Sequence, residues 1–177
     1  MSSSDTPVPK VLLDADVLSH FITGERPGIL ADVFGGRLAL LDVVEQELSR
    51  VWRFGQPLEM FCQVCQIQRL ALPEEDDDVL HEYASLRSQG LGAGESACMA
   101  LARHHAHFIA SSNLKDIKSY CQTHQITYYT TMDVLHLAVK GGHMKEPECD
   151  VFIGKVLAAK SKLPYTTYRQ WRKATGL

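Results

Sequence analysis

The sequence predicts an α/β fold in which a parallel sheet lies between two layers of helices, a three-layer α/β/α sandwich. Four short apolar or β-rich runs predict the strands, at residues 11–14, 37–41, 108–112 and 126–130. Helical patterns separate these runs, and strands that alternate with helices form parallel sheets. The run Val11-Leu12-Leu13 has no polar position, as expected of a strand that is buried on both faces.

Caps, glycines and prolines predict the helix boundaries. The first helix is predicted over residues 17–22, with Asp16 as its N-cap and Gly24 at its end. Further helices are predicted over residues 27–34, 42–54, 95–106, 114–124 and 132–140, from the acidic run at 74–78 to Gly90, and on either side of Pro164 in the tail. A helix starting at Pro57 is predicted to carry Phe61, Val64, Ile67 and Leu70 at helical spacing.

Length and composition favour a single domain with its own core. The chain has 177 residues, 45% of them hydrophobic. We expect a flexible N-terminus over residues 1–9, a main domain over 10–150, and a basic helical extension of that domain over 151–177. The sequence has no apolar run of about 18 residues and no signal-peptide pattern at its start, so we expect a cytoplasmic protein without a membrane partner. Its five cysteines are expected to be reduced.

Charge is unevenly distributed along the chain. The net charge is −3, yet the tail after residue 150 contains six lysines and arginines and no acid. Its cations Lys162, Arg169, Arg172 and Lys173 are candidate contacts for RNA phosphates, interleaved with Tyr165, Tyr168 and Trp171 as stacking groups. The alternative is a structural helix that packs its aromatic side chains on the core.

Isolated acids follow the predicted strands or begin the predicted helices. They are Asp14, Glu45 or Glu47, Glu95, and Asp116 beside Asn113. The carboxyl ends of parallel strands meet at one edge of a sheet, where ligands bind. Two carboxylates 4 Å apart repel by about 4 kcal/mol at an effective dielectric near 20, so such a group needs a cation. Oxygen ligands without His or Cys suit Mg²⁺ or Mn²⁺ and point to phosphate-ester chemistry.

Four blocks of the chain carry these acids: Lys10 to Leu18, Val44-Glu45-Gln46-Glu47-Leu48, Gly94-Glu95-Ser96-Ala97 running into Ala100-Leu101-Ala102, and Ile109 to Asp116. Their residues and order resemble the motifs of PIN domains, the metal-dependent ribonuclease fold of many bacterial toxin–antitoxin toxins. The second family acid is usually a Glu directly before Leu, which selects Glu47 over Glu45. The family often has Asp where this chain has Asn113, so the charge there is missing or is carried by Asp116.

The resemblance implies a PIN-like ribonuclease that uses Mg²⁺ or Mn²⁺. Asp14 and Glu95 would hold one or two ions, Glu47 and Asp116 would complete the cluster, and metal-activated water would hydrolyse an RNA phosphodiester. The products would carry 5′-phosphate and 3′-hydroxyl ends. Asp16, Ser112 and Asn113 would support the site, and an antitoxin protein and a second copy of the chain are open as partners.

Two other functions are open at this stage. Asp14-Ala15-Asp16-Val17 also matches the nucleophile motif of haloacid-dehalogenase-like phosphatases, with Asp14 as nucleophile and Ser111 or Ser112 as a strand-end hydroxyl. That family needs a late strand ending in paired acids, for which the chain offers Asp133, Glu146, Glu148 and Asp150. The second alternative, motivated by Asn113, is a PIN-like module that binds RNA or protein without cleaving.

Overall fold

The computed structural model describes residues 8–50 and 55–177, which form one five-stranded sheet with helices on both sides. The strands are β1 (Val11–Leu13), β2 (Leu38–Leu41), β3 (Gln68–Leu70), β4 (Phe108–Ala110) and β5 (Tyr128–Tyr129). The helices are α1 (Ala15–Thr23), α2 (Gly28–Phe34), α3 (Asp42–Ser49), α4 (Gly55–Val64), α5 (Asp77–Ser88), α6 (Ala93–His105), α7 (Leu114–His124), α8 (Thr131–Lys140), α9 (Glu146–Ala158) and α10 (Tyr168–Thr175). A 3-10 turn over Gly35–Arg37 joins α2 to β2.

The sheet is entirely parallel, with strand order β3-β2-β1-β4-β5. With this strand order, the general rule that crossovers between parallel strands are right-handed assigns the helices that follow β1 and β2 to one face and those that follow β3 and β4 to the other. On the first face α2 packs against α8 and α1 against α9, and on the second α6 packs against α5 and α7. This is the predicted α/β/α sandwich, and the fold class is confirmed.

The core lies on both sides of the central strands. β1 and β2 are buried at every position, and β1 pairs Leu12 with Ala39 on one side and with Ile109 on the other. A strand buried on both faces accepts only apolar residues, which is why these runs were visible in the sequence.

The predicted helix from Pro57 to Leu70 is wrong in its second half. α4 ends at Val64, and Gln68–Leu70 forms edge strand β3 beside β2. Gln66 adopts a left-handed backbone conformation with φ of 50°, and the Ile67 N–H donates to the Cys62 carbonyl, which closes the helix. The break was invisible because it occurs at a non-glycine residue within a continuing apolar period.

Other boundaries also differ from prediction. α1 begins at Ala15 with Asp14 as its N-cap, so Asp16 lies in the first turn and does not cap the helix. Residue 151, where the predicted helical extension of the main domain begins, lies within α9. α3 ends at Ser49, and the part of its predicted span at 51–54, with Val51, lies outside the described residues.

All five cysteines are free thiols, as predicted. Residues 8–50 and 55–177 include no helix with the length and apolar character needed to cross a bilayer.

Candidate functional site

The acidic residues meet where the strand order reverses, between β1 and β4. Asp14 directly follows β1, Ser111 follows β4, and the Asp14 N–H donates to the Ala110 carbonyl across 2.9 Å. In open α/β sheets the helices diverge at such a point and leave a crevice outside the carboxyl ends of the strands. We call the crevice formed here by Asp14, Asp16, Glu47, Glu95 and Asp116 the acidic crevice.

Asp14 lies at the bottom of this crevice and is only 6% exposed. Its Oδ1 accepts the Ala15 N–H at 2.8 Å, so the side chain is held by the start of α1. Burial raises the pKa of Asp14 and the negative charge of Glu47 raises it further, whereas hydrogen bonds from Ser111 and Ala15 oppose the shift. The surroundings of Asp14 therefore stabilise a negative charge there only in part.

Asp16 connects α1 to the end of β4. Its Oδ1 accepts the Val17 N–H at 2.6 Å, and its Oδ2 accepts the Ser112 N–H at 2.8 Å. Burial, followed by the charge of Asp14, raises the pKa of Asp16 to about 7. Asp16 thus supports the geometry of the crevice and adds to its negative charge.

The structure separates Glu45 from Glu47. Glu47 Oε1 accepts the Gly94 N–H at 2.9 Å, which places this carboxylate at the first turn of α6. Glu45 instead pairs with Arg69 of β3, at 3.0 Å. Of these two acids, Glu47 is a named cause of the raised pKa of Asp14 and Glu45 is not.

Glu95 and Asp116 meet through Asn113. The Asn113 Nδ2 donates to Glu95 Oε1 at 3.0 Å and to Asp116 Oδ2 at 2.9 Å. Asn113 therefore faces the two acids with its amide nitrogen and acts as a hydrogen-bond donor to both. Burial raises the pKa of Glu95 to about 7, with further contributions from the charges of Asp14, Asp116 and Asp16.

The carboxylates of the acidic crevice have no basic partner within residues 8–50 and 55–177. None of its five carboxylates forms an ion pair with a basic side chain of the described residues. Within the same residues, no three His, Cys, Asp or Glu side chains are already grouped so that they could hold a metal ion. The Asn113 amide bridges Glu95 and Asp116 by hydrogen bonds, so an ion held by both acids would have to replace these bonds. The donors are all oxygen atoms, which fits Mg²⁺ or Mn²⁺.

A polar network beside the crevice was not found from the sequence. His20 Nδ1 lies 2.8 Å from Thr131 Oγ1, which lies 2.8 Å from Ser112 Oγ. Burial lowers the pKa of His20 to about 4, so the ring is neutral at neutral pH. The available signal was the four-residue spacing from Asp16 to His20, which puts both on one face of α1.

The cations of the tail are not equivalent. Lys162 lines a cavity together with Asp16 and Asn113. Arg172 pairs with Glu146 at 2.6 Å, and Arg169 and Lys173 are exposed.

Tyr168 and Trp171 are buried, and the Tyr168 hydroxyl shares a 2.7 Å hydrogen bond with His136 Nδ1. These two aromatic side chains pack on the core. This agrees with the alternative to RNA stacking, a structural helix that packs its aromatic side chains on the core.

The late acids that a phosphatase would need have other partners. Asp133 forms a capping box with Thr130 at the start of α8. Glu146 pairs with Arg172, Glu148 pairs with Arg26, and Asp150 accepts the Tyr168 N–H. None of these four acids is among the leading causes of the pKa shifts of Asp14, Asp16 or Glu95.

The fold and the crevice define a doubly wound α/β protein with a carboxylate-rich site at its topological switch point. No protein-family model matches the chain, and no curated protein matches it.

Proposed function

We propose that the chain is a PIN-like ribonuclease that hydrolyses RNA phosphodiester bonds with Mg²⁺ or Mn²⁺ in the acidic crevice. The observation that carries this proposal is the convergence of five carboxylates, without a basic partner in residues 8–50 and 55–177, at the ligand-binding edge of the sheet. Strongly raised carboxyl pKa values in a crevice are typical of functional sites.

The electrostatics favour a divalent cation. Maintaining several carboxylates in partly buried positions is unfavourable unless they are protonated or bind a cation, and the raised pKa values of Asp14, Asp16 and Glu95 express that cost. A bound divalent ion supplies water of lowered pKa and stabilises negative charge on the reacting phosphate. The reacting phosphate brings negative charge of its own, so its entry into the acidic crevice would need an ion, whereas the rest of the strand can bind outside the crevice.

The residues of the chain have distinct roles in this proposal. Asp14 and Glu95, both less than a tenth exposed, would be the principal ligands. Glu47 is oriented by the Gly94 N–H, and Asp116 is oriented by Asn113. Asp16 and Ser112 position the end of β4 relative to α1.

RNA as the substrate comes from the resemblance of the four acidic blocks to PIN domains. Asn113 stands where that family often has Asp, and its side chain donates a hydrogen bond to Asp116. Asp116 can therefore supply the fourth negative charge of the crevice from the first turn of α7. The phosphatase is less well supported because each of its candidate late acids has another partner. An antitoxin, a second copy of the chain and a cytoplasmic location stay predictions of the sequence.

The direct test is incubation of the purified protein with end-labelled single-stranded RNA in Mn²⁺. The account predicts cleavage that stops on addition of EDTA and resumes with excess Mn²⁺. A DNA strand of the same sequence and a small phosphomonoester are the controls for substrate class. Binding of RNA without cleavage would support the non-catalytic module, and hydrolysis of the phosphomonoester alone would support the phosphatase.

A further inference from the structure

A cavity of about 360 Å³ opens beside Asp16. Asp16, Ser112 and Asn113 of the crevice region line one part of it, and the other lining residues are Ser19, His20, Ser161 and Lys162. Apart from Asp16, every lining side chain can donate a hydrogen bond. No Phe, Tyr or Trp of residues 8–50 and 55–177 lines the cavity, so these residues offer no stacking surface for a base there.

His20 directs a neutral donor toward this cavity. Ser112 Oγ accepts the Thr131 N–H at 2.9 Å and lies 2.8 Å from Thr131 Oγ1, which in turn lies 2.8 Å from His20 Nδ1. Both hydroxyl protons take part in hydrogen bonds when the Ser112 hydroxyl donates to Thr131 Oγ1 and the Thr131 hydroxyl donates to His20 Nδ1. The imidazole then carries its proton on Nε2, for which the described residues supply no acceptor.

His20 as a whole is only 5% exposed, and no hydrogen bond to its Nε2 is formed within the described residues. The fully buried and unpartnered side-chain atoms of the described residues do not include this nitrogen, so it is open to the cavity that His20 lines, where a ligand or water can accept its hydrogen bond. Its charge state agrees with this, since burial lowers the pKa of His20 to about 4. The ring therefore contributes a hydrogen bond without adding a buried charge.

Lys162 supplies the positive charge of the cavity. Its ammonium pairs with no acid of the described residues, whereas Lys155 and Arg172 of the same tail pair with Glu25 and Glu146. A ligand here must accept several hydrogen bonds, carry negative charge, and lie next to whatever occupies the acidic crevice. A backbone phosphate of a nucleic-acid strand satisfies all three conditions.

We propose that this cavity binds a phosphate of the RNA strand adjacent to the phosphate that is cleaved in the acidic crevice. Lys162 Nζ, His20 Nε2 and the hydroxyls of Ser19 and Ser161 are its donors. The identity of the strand rests on the proposed function, and the location rests on the cavity. Lys162 is thereby distinguished from Arg169 and Lys173, which lie on the exposed surface of α10.

The test measures binding of fluorescein-labelled single-stranded RNA by anisotropy, in EDTA and over a series of salt concentrations. Lys162→Met removes the ammonium and keeps the length of the side chain. Lys160→Met removes the same charge from an exposed position two residues away that does not line the cavity. We expect Lys162→Met to weaken binding about fivefold and to reduce the salt slope by about 0.7, the value for one contact to a single strand, and Lys162→Arg to restore most of both.

Equal effects of the two methionine variants would overturn the proposal, because they would indicate a diffuse basic surface.

His20→Gln and His20→Asn provide a second comparison. Gln can place its amide near the position of Nε2, and Asn near that of Nδ1, so we expect His20→Gln to bind RNA more tightly than His20→Asn. The reverse order would also contradict the proposal.

Competition by inorganic phosphate shows whether a free phosphate suffices. Phosphate binding that depends on Lys162, together with RNA binding that does not, would show that the cavity takes the free phosphate ion. That result would contradict the proposal that it binds the RNA strand.

The outcome is separable from that of the proposed function because binding is measured without metal or cleavage. If the wild type cleaves RNA in Mn²⁺ but Lys162→Met binds normally, the cavity proposal fails and the nuclease stands. If the wild type binds RNA through Lys162 but does not cleave it, the cavity proposal stands and the nuclease fails.

Discussion

The backbone N–H of Gly94 donates a hydrogen bond of 2.9 Å to Oε1 of Glu47 and thereby joins the first turn of α6 to α3. A Cβ at position 94 would lie 2.8 Å from Glu47 Oε2 and 2.9 Å from Val44 Cγ2. The two helices can approach because residue 94 has no side chain. This contact brings Glu47 into the acidic crevice, while Glu45 stays with Arg69.

Gly94→Ala should disturb both the packing and the crevice. The added methyl group must displace Glu47 and Val44, and overpacking of this kind costs about 1–3 kcal/mol. We expect a lower free energy of unfolding in urea and weaker Mn²⁺ binding by calorimetry. Gly92→Ala is the matched control, because its Cβ would have its nearest neighbour at 4.0 Å. Equal losses in the two variants would show that the close approach at Gly94 has no special role.

Glu47→Gln should reduce RNA cleavage far more than Glu45→Gln. The first variant removes a charge that acts on Asp14, whereas the second removes the partner of the exposed Arg69. Cleavage rates at saturating RNA, with Mn²⁺ affinities measured in parallel, check this order. The opposite order would mean that Glu45 is the acid of the second block.

The metal-free protein should lose stability as the pH rises from 6.5 to 8. Burial and neighbouring acids raise the pKa of Asp16 and of Glu95 to about 7, so the folded state binds more protons than the unfolded chain at these positions. Their contribution to the free energy of unfolding is complete below pH 4 and is lost as the pH rises through 7. His20 titrates in the opposite sense, but its interval, from about 4 to its ordinary value of 6.5, lies below this range.

Urea unfolding in EDTA at pH 6.5 and 8 measures this loss. Asp16→Asn should flatten the dependence, and Mn²⁺ should reverse the loss at pH 8 by binding the deprotonated carboxyls. A stability that stays constant or rises over this range would contradict the raised pKa values.

The sequence predicted most of the fold because the central strands are buried on both faces and are therefore continuously apolar. β3 was missed because an edge strand with exposed Gln68 and Arg69 lacks that signature. Four acids of the crevice were predictable since each follows a strand or begins a helix, whereas Glu47 lies in the second turn of α3 and was selected over Glu45 only by the family resemblance. The contact of His20 with Thr131 was not, because it joins residues 111 positions apart and depends on packing.

Arg172→Ala should destabilise the fold, and Arg169→Ala should not. The Arg172 guanidinium pairs with Glu146 at 2.6 Å and lies 6.0 Å from the centre of the Tyr168 ring, so its loss removes an ion pair and a cation–π contact. We expect a cost of about 1 kcal/mol in urea unfolding. Equal stability of the two variants would show that Arg172 is as free to contact RNA as Arg169.

Mn²⁺ calorimetry at pH 7.5 on the wild type and on Asp14→Asn tests the central claim, that the acidic crevice holds the ion that drives RNA cleavage. Asn keeps the size and can still accept the Ala15 N–H, but it removes the most deeply buried charge of the crevice. We predict measurable Mn²⁺ binding with proton release by the wild type, loss of that binding in the variant, and an unchanged circular dichroism spectrum. Equal Mn²⁺ affinity in the two proteins, with cleavage near the wild-type rate, would contradict the account.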